Sequence, residues 1–483
     1  MAHAPARAST SASTSTVPEA ADLHRGLKTR HLVMIALGGV IGSGLFISSG
    51  YTIYQAGPLG AVIAYVIGAL VAWQLMTCLG ELAVQMPESG GFHVYAHRIL
   101  GPGTGFTTAW LYWLCWVAAI GSELTASGLL MQRWFPGVPV WVWCAVFAAL
   151  LLAVNLAPVR LYGDTESLLA GVKVTAVVVF IVVGALAIVG ISASGAPAPL
   201  LSNFVTPDGL LPAGIGGVLV AVLAVFYAFS GTELIAIAAG ETDDPARVVP
   251  KAVRTTMVRL VVFFIGAIVV MAALVPYAQL GSADESVESS PFVTVFAASG
   301  IPYAADVIAV VIITALMSAG VSGLYACSRL LRSLALAGDL PKAFARTDRR
   351  GIPALAVVVS LAGGLVSLVS SYVAAGTVYV VLVSVAGFAV VAVWAVIALA
   401  QLVQRRRLRA AGVDPASLPY HSRWYPFAPL FVLVACAVSV VASLFDGAQR
   451  TATIIGVVFT AACYLVHRLR RGASSSSAEK VPA

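Results

Sequence analysis

Charge is what this chain has least of. Only 10% of its 483 residues are Asp, Glu, Lys or Arg, where a soluble domain carries about 25%. That shortage excludes a water-soluble globule. Cysteine is nearly as scarce. Six residues (Cys78, Cys115, Cys144, Cys327, Cys436 and Cys463) are scattered singly through apolar segments, with no CxxC pair and no metal-ligand spacing, so no bound metal is expected. They read as small buried apolar residues in a reducing cell. Enzyme signatures are missing too. There is no GxxxxGK[ST] loop, no HExxH and no GxSxG, which excludes ATP drive and hydrolytic chemistry of those kinds and implies no cofactor. His93 and His97 stand four apart in "PESGGFHVYAHRILGP" without further ligands, and read as loop residues. The first 24 residues contain no apolar core and so no signal peptide. They and residues 469–483, which end in "RGASSSSAEKVPA", read as disordered tails.

What is present is long apolar runs, within a chain that is 60% hydrophobic. They fall at 32–56, 59–85, 105–132, 138–157, 165–191, 212–239, 257–280, 303–328, 354–371, 376–403, 427–445 and 451–467. About twenty apolar residues span a bilayer as a helix. The expected fold is therefore all-α and polytopic, with twelve transmembrane segments. An even number places both termini on one side, and the basic residues say which. With the N-terminus cytoplasmic, 25 of the 28 Lys and Arg fall inside, two (Arg133 and Arg450) outside, and Lys173 within a span. The opposite orientation reverses that ratio against the positive-inside rule. The net charge of +7 thus belongs to loops facing the inner leaflet, with no nucleic-acid partner implied.

Two segments carry breaks. "GGVIGSGLF" interrupts segment 1 and "FYAFSGTELIAIAAGE" interrupts segment 6. Glycine costs about 1 kcal/mol against alanine inside a helix, and unwound backbone in lipid costs more. Paired breaks at the starts of segments 1–5 and 6–10 point to a 5+5 inverted repeat with a ligand site at the breaks. A break at Gly42, Ser43 and Gly44 offers N–H groups at a half-helix start, which suit a carboxylate. A half-helix ending near Phe229 offers carbonyls, which suit an ammonium group. Together they fit the two ends of an amino acid, with Tyr227 and Phe229 as candidate walls or gates.

Ionisable residues inside spans are expensive and default to function. Glu233 follows directly on the second break, where it can organise the opened backbone, relay a proton or face a cationic substrate. Glu123, near the middle of segment 3, can pair with a positive side chain or hydrogen-bond a neighbouring hydroxyl. Glu81 lies near the cytoplasmic end of segment 2 and reads as structural. Lys173 is the one cation within a span; a desolvated lysine can bind and release a proton, or hold helix 1 carbonyls near Gly38 and Gly39. The stretch 240–254, "GETDDPARVVPKAVR", reads as a helix end, a turn and a cytoplasmic cap.

The motifs "GGVIGSGLF", "GELAVQMPESGGFHVYA", "YAFSGTELIAIAAGETDDPARVVPKAVR", "SGLYACSRLL" and "GIPALAV" resemble those of the amino-acid permeases of the amino acid–polyamine–organocation superfamily. The likeness runs from about residue 24 to 468. It is nearest to the bacterial S-methylmethionine permeases, through "MQRWFPGVPVWVWC", "SSPFVTVF", "GIPYAADV" and "VAGFAVVAVW", and then to the lysine permeases. The resemblance implies a transport core over 25–403, with repeats at about 29–191 and 212–403, followed by segments 11 and 12 over 404–468. It implies that Gly42, Ser43 and Gly44 bind the substrate carboxylate and that backbone near Tyr227, Phe229 and Ser230 binds the amino group. Lys173 matches a lysine that takes the place of a sodium ion and is implicated in proton coupling.

The expected activity is import of an amino acid by proton symport across a bacterial plasma membrane. The substrate would carry a cationic side chain, as S-methylmethionine or lysine does, since Glu123 suits either. Segments 1, 2, 6 and 7 would rock against the rest. An amino-acid exchanger or sensor of the same fold is the alternative.

Overall fold

The computed structural model describes residues 29–478 apart from 88–90, 158, 193–194, 196, 240–241, 243 and 281–289. The N-terminal tail, residues 1–24, and the last five residues lie outside that set. Among the described residues there is no β-strand, and eight helices are long and apolar enough to cross a membrane. Three shorter apolar helices accompany them.

The first expected segment is three helices in series: α1 (Thr29–Val40), α2 (Ser43–Phe46) and α3 (Ser48–Ala56). Pro58 at the first turn then opens α4 (Pro58–Gln85), where its missing N–H costs nothing. The stretch holding His93 and His97 is helical rather than a loop, forming the short α5 (Phe92–Leu100). Then follow α6 (Pro102–Met131), α7 (Val140–Asn155) and α8 (Val159–Ile188). The sixth segment is split into α9 (Gly214–Phe229) and α10 (Leu234–Ala239). Asp244 caps α11 (Pro245–Leu274), accepting the backbone N–H of Arg247 at 3.2 Å. That helix begins twelve residues before the apolar run does, because a capped, polar first turn extends it into water.

Next come α12 (Pro291–Ala298), α13 (Ala304–Leu336), α14 (Ala354–Gly364), α15 (Ala375–Ala410), α16 (Phe427–Ser443) and α17 (Gly447–Ala478). The last helix runs to Ala478, so residues 469–478 are helical and the expected tail is correspondingly shorter.

Burial sorts these helices. α6 is almost wholly enclosed, packed chiefly against α15 and α13. α8 and α17 instead present Val178, Val179, Val182, Leu186, Ile454, Val458 and Leu465 outward. Exposed apolar stripes of this kind suit contact with lipid rather than water.

One ion pair ties the base of the bundle. Glu81 on α4 is fully buried and accepts from Arg405 of α15 at 2.5 and 2.9 Å, from the Ser422 N–H at 2.8 Å and from Gln401 at 3.3 Å. Arg405 also donates to the Ser422 carbonyl at 3.1 Å. Every oxygen of the carboxylate is satisfied, as a buried charge requires. Replacing Arg405 by Ala strands that carboxylate and is expected to cost about 3–5 kcal/mol. The loss should appear as a lower melting temperature of the detergent-solubilised protein. Adding Glu81→Gln to the Arg405→Ala protein should recover part of it.

Candidate functional site

The break between α1 and α2 is closed by side chains from four other helices. Gly42 caps α2 without a side chain of its own, so the first N–H groups of α2 need partners from elsewhere. The Ser43 N–H donates to both oxygens of Glu123 on α6, at 3.1 Å each, and the Ser43 hydroxyl donates to Oε1 at 3.0 Å. That hydroxyl lies 3.0 Å from Tyr227 OH of α9, which lies 2.9 Å from Ser122 Oγ. Because the Ser43 proton points at Glu123, Tyr227 donates to Ser43, while the Ser122 hydroxyl donates to the Ala119 carbonyl at 2.8 Å. A line of hydroxyls thus ends on one carboxylate.

The carbonyls are held as well. Tyr379 of α15 donates to the Ser43 carbonyl at 3.2 Å and meets Ser48 Oγ at 2.8 Å. Ser290 donates to the Phe46 carbonyl at 2.6 Å, and Tyr65 of α4 reaches the Gly44 carbonyl at 3.5 Å. Gly44 permits the closest helix contact here: a Cβ on it would stand 2.7 Å from the Ala228 Cα.

The second break is tighter than the sequence suggests. The Tyr227 carbonyl accepts from both the N–H (3.0 Å) and the hydroxyl (2.7 Å) of Ser230, and the Phe229 carbonyl accepts from Thr232 Oγ1 at 3.2 Å. These carbonyls are covered by small hydroxyls rather than left open. Gly231 has φ +95 and lies against the Gly39 backbone, so the two breaks touch there through glycine.

The structure therefore brings Gly42, Ser43, Gly44, Glu123 and Tyr227 together, with Ser230 at the edge. Phe229 faces elsewhere: its ring stacks on Phe264 at 4.8 Å and tilts against Tyr65 at 6.3 Å. Glu233 is fully buried and apart from this group. Its Oε2 accepts from Thr232 at 3.2 Å, its Oε1 has no hydrogen-bond partner among the described residues, and Tyr112 and Cys115 of α6 lie within range of its charge. Cys115 precedes Glu123 by eight residues, about 12 Å along α6.

Lys173 is buried on α8, and its ammonium donates to the Gly38 carbonyl at the end of α1 at 2.6 Å. Sequence reasoning missed the groups around it. Glu166, on the same helix, accepts from Ser318 at 2.8 and 2.9 Å and from Ser322 at 3.1 Å, both on α13. The available signal was spacing: seven residues separate Glu166 from Lys173, two helical turns on one face. Ser122 and Tyr379 carried no such signal. Among the described residues, no cluster of His, Cys, Asp and Glu could hold a metal ion.

The model of the family described as "Amino acid permease" matches residues 31–474. The chain belongs to that family. The permease is 47% identical over 466 residues to the Bacillus subtilis protein described as "Putative histidine permease", covering 95% of this chain and 97% of the relative. It is 42% identical to the amino-acid permease RocE of the same organism, over 92% and 95% of the two chains. To the lysine-specific permease LysP of Escherichia coli it is 38% identical, over 94% and 95%. The permease is accordingly a multi-pass membrane transporter of amino acids from a family of transporters rather than enzymes.

The contact at Gly44 gives a direct test. Gly44→Ala should overpack the two breaks by about 1–3 kcal/mol, lowering the melting temperature and cutting amino-acid uptake at least tenfold. Gly171→Ala, which meets nothing within 4 Å, should change neither.

Proposed function

We propose that the permease imports an amino acid with a cationic side chain by proton symport across a bacterial plasma membrane. The observation that carries this reading is the carboxylate of Glu123 seated on the Ser43 N–H and hydroxyl. These donors already hold one carboxylate, so they can hold that of a substrate. Once displaced, Glu123 is free to face the substrate's positive side chain within the same buried space. The ammonium group would exchange for the Ser230 and Thr232 hydroxyls at the Tyr227 and Phe229 carbonyls. Glu233 would organise the second break from behind. Because Ser43, Glu123 and Tyr227 are all buried, the substrate can arrive only when helices move, and rocking of α1–α4 and α9–α11 against the rest supplies that motion.

The broken first segment, the eight long helices and the three shorter apolar ones support a reading of twelve spans, with inverted repeats over 29–191 and 212–403 followed by 404–468. The C-terminal end of α17 and the basic loop after α13 share one end of the bundle, where Arg470 donates to the Asp339 carbonyl. With the twelve-segment order, 25 of the 28 Lys and Arg fall on that side, which supports a cytoplasmic position for both termini.

Lys173, joined to α1 through the Gly38 carbonyl, is assigned the proton. When α1 withdraws, that bond breaks and the ammonium can lose its proton to the side then open.

For the substrate, the motif likeness favours S-methylmethionine, while the similarity to proteins named as histidine and lysine permeases brings those two forward. Uptake of labelled S-methylmethionine, lysine and histidine into proteoliposomes under an imposed inward proton gradient decides among them. Saturable uptake of one that collapses with a protonophore is expected. Counterflow persisting without any gradient dependence would instead mean an exchanger. Lys173→Ala should abolish the response to the gradient, roughly tenfold or more in accumulation, while substrate still protects the folded protein against heat. An Ala variant that accumulates substrate with unchanged pH dependence would sink the proton assignment.

A further inference from the structure

Glu166 is the buried acid for which neither the substrate site nor the fold gives a use. It is 4% exposed, and both its oxygens are tied to α13 through the hydroxyls of Ser318 and Ser322. On its other side is α1: a Cβ on Gly38 would collide with Glu166 Oε1, so the carboxylate lies directly on that glycine. The Gly38 carbonyl, in turn, accepts the Lys173 ammonium. One residue of α1 is therefore clasped between an acid and a base two turns apart on α8. The charged groups facing Lys173 are Glu166 and, from α6, Glu123; α1 brings the carbonyl and α13 the two hydroxyls.

We propose that Glu166 is a positioning residue for proton coupling, acting as the fixed counter-charge of Lys173. This rests on the proton role of Lys173 given above. The two serines hold Glu166 to α8 and α13, which stay together while α1 moves. Its charge therefore remains beside Lys173 throughout the cycle, whereas the Gly38 carbonyl and the Glu123 carboxylate come and go. Glu123 is exchangeable with substrate; Glu166 is not. A permanent carboxylate favours the protonated ammonium, so Lys173 can reload from the outside at moderate proton concentration after each release.

The test is the pH profile of uptake in proteoliposomes. Glu166→Gln keeps the shape and one acceptor oxygen for the two serines but removes the charge. Lys173 then takes up its proton only at higher proton concentration, and the pH of half-maximal uptake should fall by about one unit. Substrate KM at saturating proton concentration should stay within about twofold, and Glu166→Asp should restore most of the profile. A Glu166→Gln protein with the wild-type midpoint would overturn the proposal. Should that variant fail to reach the membrane, the Ser318→Ala, Ser322→Ala pair carries the test. Without these donors the carboxylate is no longer held to α13, so its charge is no longer fixed in place beside Lys173; the midpoint should move from the wild-type value, and an unmoved one overturns the inference. Wild-type uptake indifferent to the proton gradient would sink the coupling reading and this inference together. Gradient-driven uptake that needs Lys173, with an unshifted Glu166→Gln profile, would sink this inference alone.

Discussion

A helix broken inside a membrane must find partners for the backbone groups it releases, because lipid offers none. Most of this molecule can be understood from that requirement. Between Val40 and Ser43 the first helix stops and restarts, and the released groups are met one by one. Glu123 takes the Ser43 N–H, Tyr379 the Ser43 carbonyl, Ser290 the Phe46 carbonyl and Lys173 the Gly38 carbonyl. These partners come from α6, α15, the start of α12 and α8. Four parts of the bundle thus converge on one short stretch of chain, which is why α6 lies at the centre and is so deeply buried.

A partner that can be exchanged is also a place where a ligand can bind. Under the proposed reading, the hydroxyls of Ser230 and Thr232 on the second break, and the carboxylate of Glu123 on the first, each stand where a group of a bound amino acid would make the same bond. The resting protein avoids unsatisfied backbone by lending its own side chains, and a substrate needs only to replace them. That economy requires that the substitutes be small or mobile. Serine, threonine and a glutamate meet that condition; an arginine pair such as Glu81 with Arg405 does not, and it sits at the base, away from the breaks.

How much of this the sequence disclosed depends on how each residue announces itself. Glycines inside apolar runs are costly, so "GVIGSG" and "FSGTE" marked both breaks. Glu123 and Lys173 stood out because charge within a span is rare. Glu166 was passed over although it falls inside the fifth run, since it lies one residue from its start and reads there as an edge charge. Ser318 and Ser322 gave no warning, because serine is common at helix contacts and only the facing carboxylate gives them meaning. The open carbonyls expected at the second break are capped by Ser230 and Thr232, whose local back-bonding is a matter of rotamers. Phe229 points toward Phe264 rather than the site, and helix rotation of that kind is set by packing that no single chain displays. Where α11 begins and where α17 ends were likewise hidden, because polar helical turns beyond the apolar run leave no hydropathy signal.

The formal charges around the breaks bear on the substrate. Lys173 brings one positive charge and Glu123, Glu166 and Glu233 one negative charge each, leaving a formal net charge of minus two among buried groups. An amino acid with a neutral side chain is a zwitterion and leaves that imbalance unchanged. One with a cationic side chain reduces it, and burying a smaller excess of charge costs less. S-methylmethionine and lysine satisfy this condition at neutral pH, whereas histidine does so only when its ring is protonated. Under the proposed reading, histidine would therefore be carried better as the outside becomes more acid, beyond what proton coupling alone imposes, and lysine would not.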